Sequence, residues 1–381
     1  MPILSPRPRR AAVLAVLTAL AVLGLAACSG SSTPPTRTSS SSSSPSSSAT
    51  AAPGSGKPWV VGVMDRKGPP DASELTYDGK PLVQGFVIQV LWKDVQPTGP
   101  DSFDTSKIDQ QLAFAKAHDL AVRMRVYAGY NSPAWVLQSA GSVTWQGTAN
   151  DAGPTSYPVP VFWGSRFQQL FQQFDAKLAA KYDGDPQLRE LVPGMCITNF
   201  AEPFQRQFSE KANVASASGK GYSDATDQAC LKNTVSMFAK DWRTTNMAMA
   251  FNPYQSLTKQ GSNDKSEASA QASVQVPEQI AKYCVSELGP RCVLGNNSMK
   301  GNTRGKAYDA LYTMLQGLHQ PLYIQTASNA KIQDWQAALT NSVEVGAISI
   351  ELPDGYQKWD KATLQSYDAK LQANADKLST T

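Results

Sequence analysis

Two acidic residues stand where buried runs give way to loops. Glu202 lies in "ITNFAEPF" (197–204), after the apolar "LVPGMCI" (191–197), and Glu351 lies in "ISIELPDGYQKW" (348–359). A carboxyl group whose pKa is raised by burial can protonate a leaving oxygen. A second, ionised carboxylate can attack or activate water, and the two together split a glycosidic bond. Glu202 fits the first role and Glu351 the second. Rings and amides follow the other apolar runs. Trp92, Tyr127 and Trp135 could lie flat against the C–H faces of a sugar, and Asn199, Asn252, Tyr254 and Gln325 could hydrogen-bond its hydroxyls. Each has a plainer reading. Glu202 could be a loop charge or pair with Arg123 or Arg125, Glu351 could serve rim amides, Gln325 could be satisfied in the core, and the rings could be packing. Asp65 and Asp94 read as turn residues.

Other chemistries find less support. His118 ("AKAHD") and His319 ("LQGLHQ") both end helical patterns, away from where a triad or a histidine metal site would need them. "PGSGK" (53–57) lacks the first glycine of a phosphate loop, and no dinucleotide fingerprint is present. No cofactor and no metal are therefore expected. The formal charge of +4 falls to +1 if Arg7, Arg9 and Arg10 leave with an export signal, so no basic field argues for nucleic acid. A monomer is expected.

Eight short apolar runs could position these groups: 59–64, 85–92, 120–128, 191–198, 246–252, 292–296, 321–325 and 345–352. Each ends in polar, Gly or Pro residues, as buried parallel strands do. Helical stripes separate them, the strongest being Phe167, Leu170, Phe171, Phe174, Leu178 and Tyr182. Only "RKGPPDASELTYDGKPLVQ" (66–84), between the first two runs, carries no convincing helix. The alternation predicts an α/β fold, a single (β/α)8 TIM barrel over 58–381, with a doubly wound sheet as the alternative. In such a barrel the candidate residues follow the C-terminal ends of strands, where sites form.

Residues 1–27 read as a secretory signal, with a basic lead-in and an apolar run short for a membrane span. Its end, "LAAC" (25–28), resembles a bacterial lipobox, which implies cleavage before Cys28 and lipidation of that thiol. A simple signal peptide or an uncleaved anchor are the other readings. Residues 28–57, rich in Ser and Pro, should be a disordered tether. The protein is thus expected outside the cytoplasm, held to the cell membrane through its N-terminal lipid. Four cysteines remain, an even number that suggests two disulfides in an exported chain. Cys196–Cys230 with Cys284–Cys292 is the local choice among three pairings.

"FVIQVLWKDVQPTGPDSFDTSKIDQQLAFAKAHDLAVRMRVYAGYNSPAWV" (86–136) resembles the second-to-third-strand region of clan A glycoside hydrolases, family 42 β-galactosidases among them. "FQQFDAKLAAKYDGDPQLRELVPGMCITNFAEPF" (171–204) is similar to their third helix and fourth strand. The resemblance implies a glycoside hydrolase acting on extracellular glycans, with Glu202 as acid/base. Two departures stand against it. Asn199 precedes Glu202 by three residues instead of one, and Gln325 occupies the strand-seven position where the family keeps a nucleophilic glutamate, so Glu351 is the nearest substitute. Strands four and eight face each other across a barrel. Such a pair should sit at the wider spacing of inverting enzymes, or do no catalysis. The alternative is a catalytically inactive carbohydrate-binding lipoprotein on the same barrel. A two-lobed solute-binding lipoprotein is disfavoured by the unbroken eightfold alternation.

Overall fold

The computed structural model describes residues 56–147, 155–258, 266–302 and 304–380. The signal segment, Cys28 and nearly all of the tether lie outside these residues. Eight parallel strands close into a barrel: β1 Gly62–Asp65, β2 Gly85–Leu91, β3 Ala121–Tyr127, β4 Leu188–Gly194, β5 Asn246–Ala250, β6 Cys292–Met299, β7 Leu322–Thr326 and β8 Ser349–Leu352. β1 pairs with β8 on one side and β2 on the other, which completes the ring. The predicted fold is the observed one.

Seven long helices wrap it: α1 Ser106–Ala117, α2 Ser165–Tyr182, α3 Asp224–Asp241, α4 Glu267–Leu288, α5 Lys306–Gly317, α6 Trp335–Glu344 and α7 Lys361–Ser379. The connection read as lacking a helix holds only one turn, Ala72–Leu75, and a small hairpin of Thr76–Tyr77 with Lys80–Pro81. No helix among the described residues is long and apolar enough to cross a membrane.

Strand alternation divides the core in two. Outward residues such as Val122, Met124 and Val126 of β3 meet the helix stripes in the main apolar cluster. Inward residues Val192, Ala248, Ala250, Val293 and Tyr323 form a second cluster inside the barrel, with Trp59 beside them. Tyr323 needs space opposite it. A Cβ on Gly295, its register partner on β6, would stand 1.9 Å from the ring. Both disulfides of the local pairing are present, Cys196–Cys230 and Cys284–Cys292.

Several strand boundaries differ from the apolar runs: β1 starts at Gly62, β6 runs on to Met299 and β8 starts at Ser349, and the end of β4 differs most for the site. β4 begins at Leu188 and ends at Gly194, so "MCIT" leaves the sheet instead of extending it. The chain is pressed against β3 there, and a Cβ on Gly194 would stand 2.0 Å from the Val126 carbonyl oxygen.

The helix layer also buries an acid. Asp175 on α2 is 0% exposed; its Oδ2 accepts from Trp242 Nε1 at 2.9 Å, and its Oδ1 has no partner. Burial, with Asp241 nearby, pushes this carboxyl up to about 7 against the outward pull of the Trp242 bond. The unfolded chain releases this proton near pH 4 and the folded chain holds it to about 7. Its contribution to stability therefore falls as pH rises through that window and stays low above it. Asp175→Asn is expected to raise unfolding stability at pH 8 by about 1–3 kcal/mol and to have little effect near pH 4. Denaturant titrations at the two pH values check this.

Candidate active site

Glu202 sits on the loop that follows β4, and that loop is fixed at both ends. On one side Cys196 is bonded to Cys230 of α3. Nearby, Tyr130 N–H donates to the Thr198 carbonyl at 2.9 Å, and a Cβ on Gly129, whose φ is +54°, would stand 2.1 Å from that oxygen. On the other side the buried Arg206 guanidinium pairs with Asp227 of α3 at 2.7 Å, and Phe204 stacks on Phe251. A covalent bond and a buried ion pair thus hold the segment that presents Glu202.

The carboxylate itself is partly exposed and accepts a hydrogen bond from Asn252 Nδ2 at 3.1 Å. Asn252 is fully buried, and its Oδ1 accepts in turn from Asn296 Nδ2 at 3.1 Å and Tyr308 hydroxyl at 3.4 Å. Asn296 is itself fixed, donating to the Phe251 carbonyl and accepting from Tyr312 hydroxyl. This chain orients the Asn252 amide so that its NH2 faces Glu202. Burial, then the nearby Glu202 charge, push the Tyr308 hydroxyl up to about 12, which keeps it a donor. Beside Tyr308 lies a cavity of about 240 Å³, lined also by Tyr312, Arg304, Lys300 and Ser298.

Arg123 and Arg125 do not serve Glu202. Both enter the barrel from β3, and both meet Glu351. Arg123 Nη1 reaches Glu351 Oε1 at 2.8 Å, and Arg125 Nη2 reaches both Glu351 oxygens at 2.7 Å. Arg123 also pairs with Glu190 of β4 at 2.6 Å and donates to Ser349 Oγ, while Val60 N–H donates to Glu190. The Arg123 guanidinium lies 4.2 Å from the Tyr323 ring centroid. Burial alone would raise the Glu351 carboxyl, but Arg125 and Arg123 hold it below the usual carboxylate range. Glu351 is 0% exposed, so no sugar or water touches it here. Its residue type and strand suggested a catalytic partner, whereas the geometry makes it a structural carboxylate. Its carboxylate is occupied by guanidinium donors, and it lies in register with Gln325 and Met64 on the barrel wall.

Two further candidates have a ring or a hydroxyl committed to the scaffold. Trp92 is fully buried beneath Trp135 and against Phe167, Phe171 and Phe174, so no ring face remains for a sugar. Tyr254 directs its hydroxyl to Asp227 Oδ2 at 3.0 Å, into the ion pair that anchors the loop. Trp135 is partly exposed, with its indole N–H on the Gln96 carbonyl. Tyr127 and Gln325 are partly exposed at the ends of β3 and β7, and Gln325 Oε1 accepts from Arg125 at 3.0 Å. Asn199 is buried on the Glu202 loop. Asp65 behaves as the turn residue expected, its Oδ1 accepting from Lys67 N–H.

Four groups at the mouth are not marked by the sequence. Arg125 reads there only as a possible partner of Glu202. Tyr308 falls inside a helix, Gln89 inside an apolar run, and Arg66 opens the segment without a convincing helix. The signal that could have found the ion network is "RMR" in β3, two arginines two residues apart on one face of a buried strand.

The sequence matches no protein-family model, and no curated protein sequence matches it. Solved structures do resemble the fold. The catalytic domain of a β-amylase from Paenibacillus polymyxa superposes with a TM-score of 0.52 at 11% identity, over 80% of this chain and 97% of that one. A β-galactosidase from the psychrophilic Marinomonas ef1 gives 0.48 at 12% identity, over 84% of this chain and 62% of that one. At such identities the likeness is one of fold.

The two glutamates should respond unequally to removal of charge. Glu351→Gln leaves Arg125 without a carboxylate and Arg123 with one fewer, and should cost about 3–5 kcal/mol of stability. Glu202→Gln should cost less than about 1 kcal/mol, because an amide can still accept from Asn252. Chemical denaturation of both variants beside the parent protein reads this contrast.

Proposed function

We propose that this barrel takes a glycan at its C-terminal mouth and is a glycoside hydrolase whose general acid is Glu202. The observation that carries the reading is the setting of Glu202: partly exposed, on a loop pinned to α3 at both ends, and hydrogen-bonded by a buried, pre-oriented amide. Such a carboxyl group can give its proton to a glycosidic oxygen as the bond breaks. Asn199, Gln325 and Tyr127, and Trp135 at the rim, are the remaining candidates for holding hydroxyls and a ring face.

Because Glu351 is sealed and Gln325 is an amide, no sugar–enzyme bond forms on strand seven or eight in this reading. Water meets the anomeric carbon directly as Glu202 protonates the leaving oxygen, the attacking water gives its proton to bulk water, and the product emerges with inverted configuration. The same clamp on Glu351 favours a second reading, in which the mouth binds glycan and leaves it intact. The two disulfides support an oxidising compartment. We carry the lipid-anchored, extracytoplasmic location at Cys28 and the monomeric state as part of the proposal.

Incubation with a glycan panel, with release followed by chromatography and the product anomer by NMR, separates the readings. Turnover with inversion, lowered about 100-fold or more in Glu202→Gln, is expected for the hydrolase. Binding with no release of sugar from any member leaves the second reading. Retention through an adduct on Glu351 contradicts both.

A further inference from the structure

In the wall of the mouth on the β1–β3 side, three guanidiniums meet two carboxylates, while Asp65 and Glu74, buried at and beside the end of β1, both accept from the Tyr356 hydroxyl. The guanidiniums are those of Arg66, Arg123 and Arg125, and the two buried carboxylates beside them are Glu190 and Glu351. Arg123 is bonded to both carboxylates and Arg125 holds Glu351 through both of its oxygens. Arg66, just past the end of β1, makes no ion pair among the described residues. Its Nη1 donates to the Thr326 carbonyl at 2.9 Å. Burial disfavours its charge, Glu351 lies near enough to favour it, and Arg125 repels it. Asp354, the next carboxylate outward, is 65% exposed and bound to Lys67 at 2.9 Å.

Polar groups of β2 and β3 lie beside Arg66, Gln89 Nε2 donating to its carbonyl at 3.3 Å. Arg125 Nε is buried and without a partner. Gln89 stands in register with Arg125 and on the same inward face, yet it is exposed, so the barrel is open to solvent above it. Tyr127, two residues beyond Arg125 on that face, brings a partly exposed ring. A neutral sugar covering this wall would desolvate Arg66 and return no charge to it. A planar carboxylate matches a guanidinium fork, and the tyrosine offers a ring face for the sugar's C–H side.

We propose that Arg66, Gln89, Arg125 and Tyr127 form a subsite for the carboxylate of a hexuronic acid unit, so that the glycan taken by this barrel is acidic. The inference rests on the glycan reading above and names its substrate class. Arg66 is the group that meets the carboxylate, while Arg125 is held by Glu351 and supplies field. Glu202, presented on the loop after β4, is left to face the glycosidic oxygen instead of the acid group.

The test is calorimetric binding of the intact protein to oligogalacturonide, oligoglucuronide and oligomannuronide, each beside its carboxyl-reduced counterpart of the same linkage. At least one uronide should bind about ten-fold or more tightly than its reduced partner. Arg66→Gln should bring that ratio close to one, and Arg66→Lys should restore part of it. Unfolding curves establish that both variants are folded. Equal affinity for a uronide and its reduced partner, an undiminished ratio in Arg66→Gln, or preference for a sulfated neutral oligosaccharide would each overturn the acidic subsite while leaving the glycan reading in place. Binding of no acidic, reduced or sulfated sugar would overturn the glycan reading itself.

Discussion

Arg123 and Arg125 stand two residues apart on β3, and both side chains enter the barrel, where water cannot solvate them. Glu190 on β4 and Glu351 on β8 meet them from adjacent and distant strands. A charge moved into such an interior alone costs several kcal/mol, and pairing with good geometry offsets most of that. The network therefore ties strands three, four and eight across the lumen. Ser349, Gln325, Tyr323 and Val60 supply or receive the remaining contacts. Its effect on function follows from its place. It occupies the carboxylate that the strand order would otherwise offer to chemistry, and it sets the Arg125 guanidinium beside Arg66.

The other half of the mouth is built differently. There the polar groups are neutral amides and hydroxyls, Asn252, Asn296, Tyr308 and Tyr312, linked in one hydrogen-bonded chain that ends on Glu202. The loop bearing Glu202 is held by the helix layer as well as by the ends of β3 and β5. It is fastened to α3 by Cys196–Cys230 and Arg206–Asp227. One side of the opening is thus organised by buried charge and the other by a chain of amides and hydroxyls that ends on Glu202. In the proposed reading, that asymmetry separates the recognition of an acidic group from the donation of a proton.

The eightfold fold was legible because each strand is a short apolar run and each helix a stripe, and these are local patterns. The missing helix before β2 was legible for the same reason, and so was the local disulfide pairing. Residue roles were not legible where they depend on register. Glu351 and Gln325 both follow apolar residues near strand ends, and only their pairing with Arg125 shows how they are committed. Trp92 resembled a rim platform, but a helical turn at Trp92–Val95 carries its ring down among the phenylalanines of α2. The end of β4 was misread because "MCIT" is apolar without being sheet. Its burial comes from the disulfide and from contact with β3, which no periodicity records.

The division of labour between the two glutamates can be read directly by carboxyl-carbon NMR of the labelled protein, titrated with the uronide that binds best. The Glu202 resonance should move as the mouth fills, while that of Glu351 should stay in place and remain that of an ionised carboxylate down to pH values below the usual carboxylate range. A Glu351 signal that shifts with ligand, or that titrates as an ordinary exposed glutamate, would contradict the assignment of that residue to the scaffold.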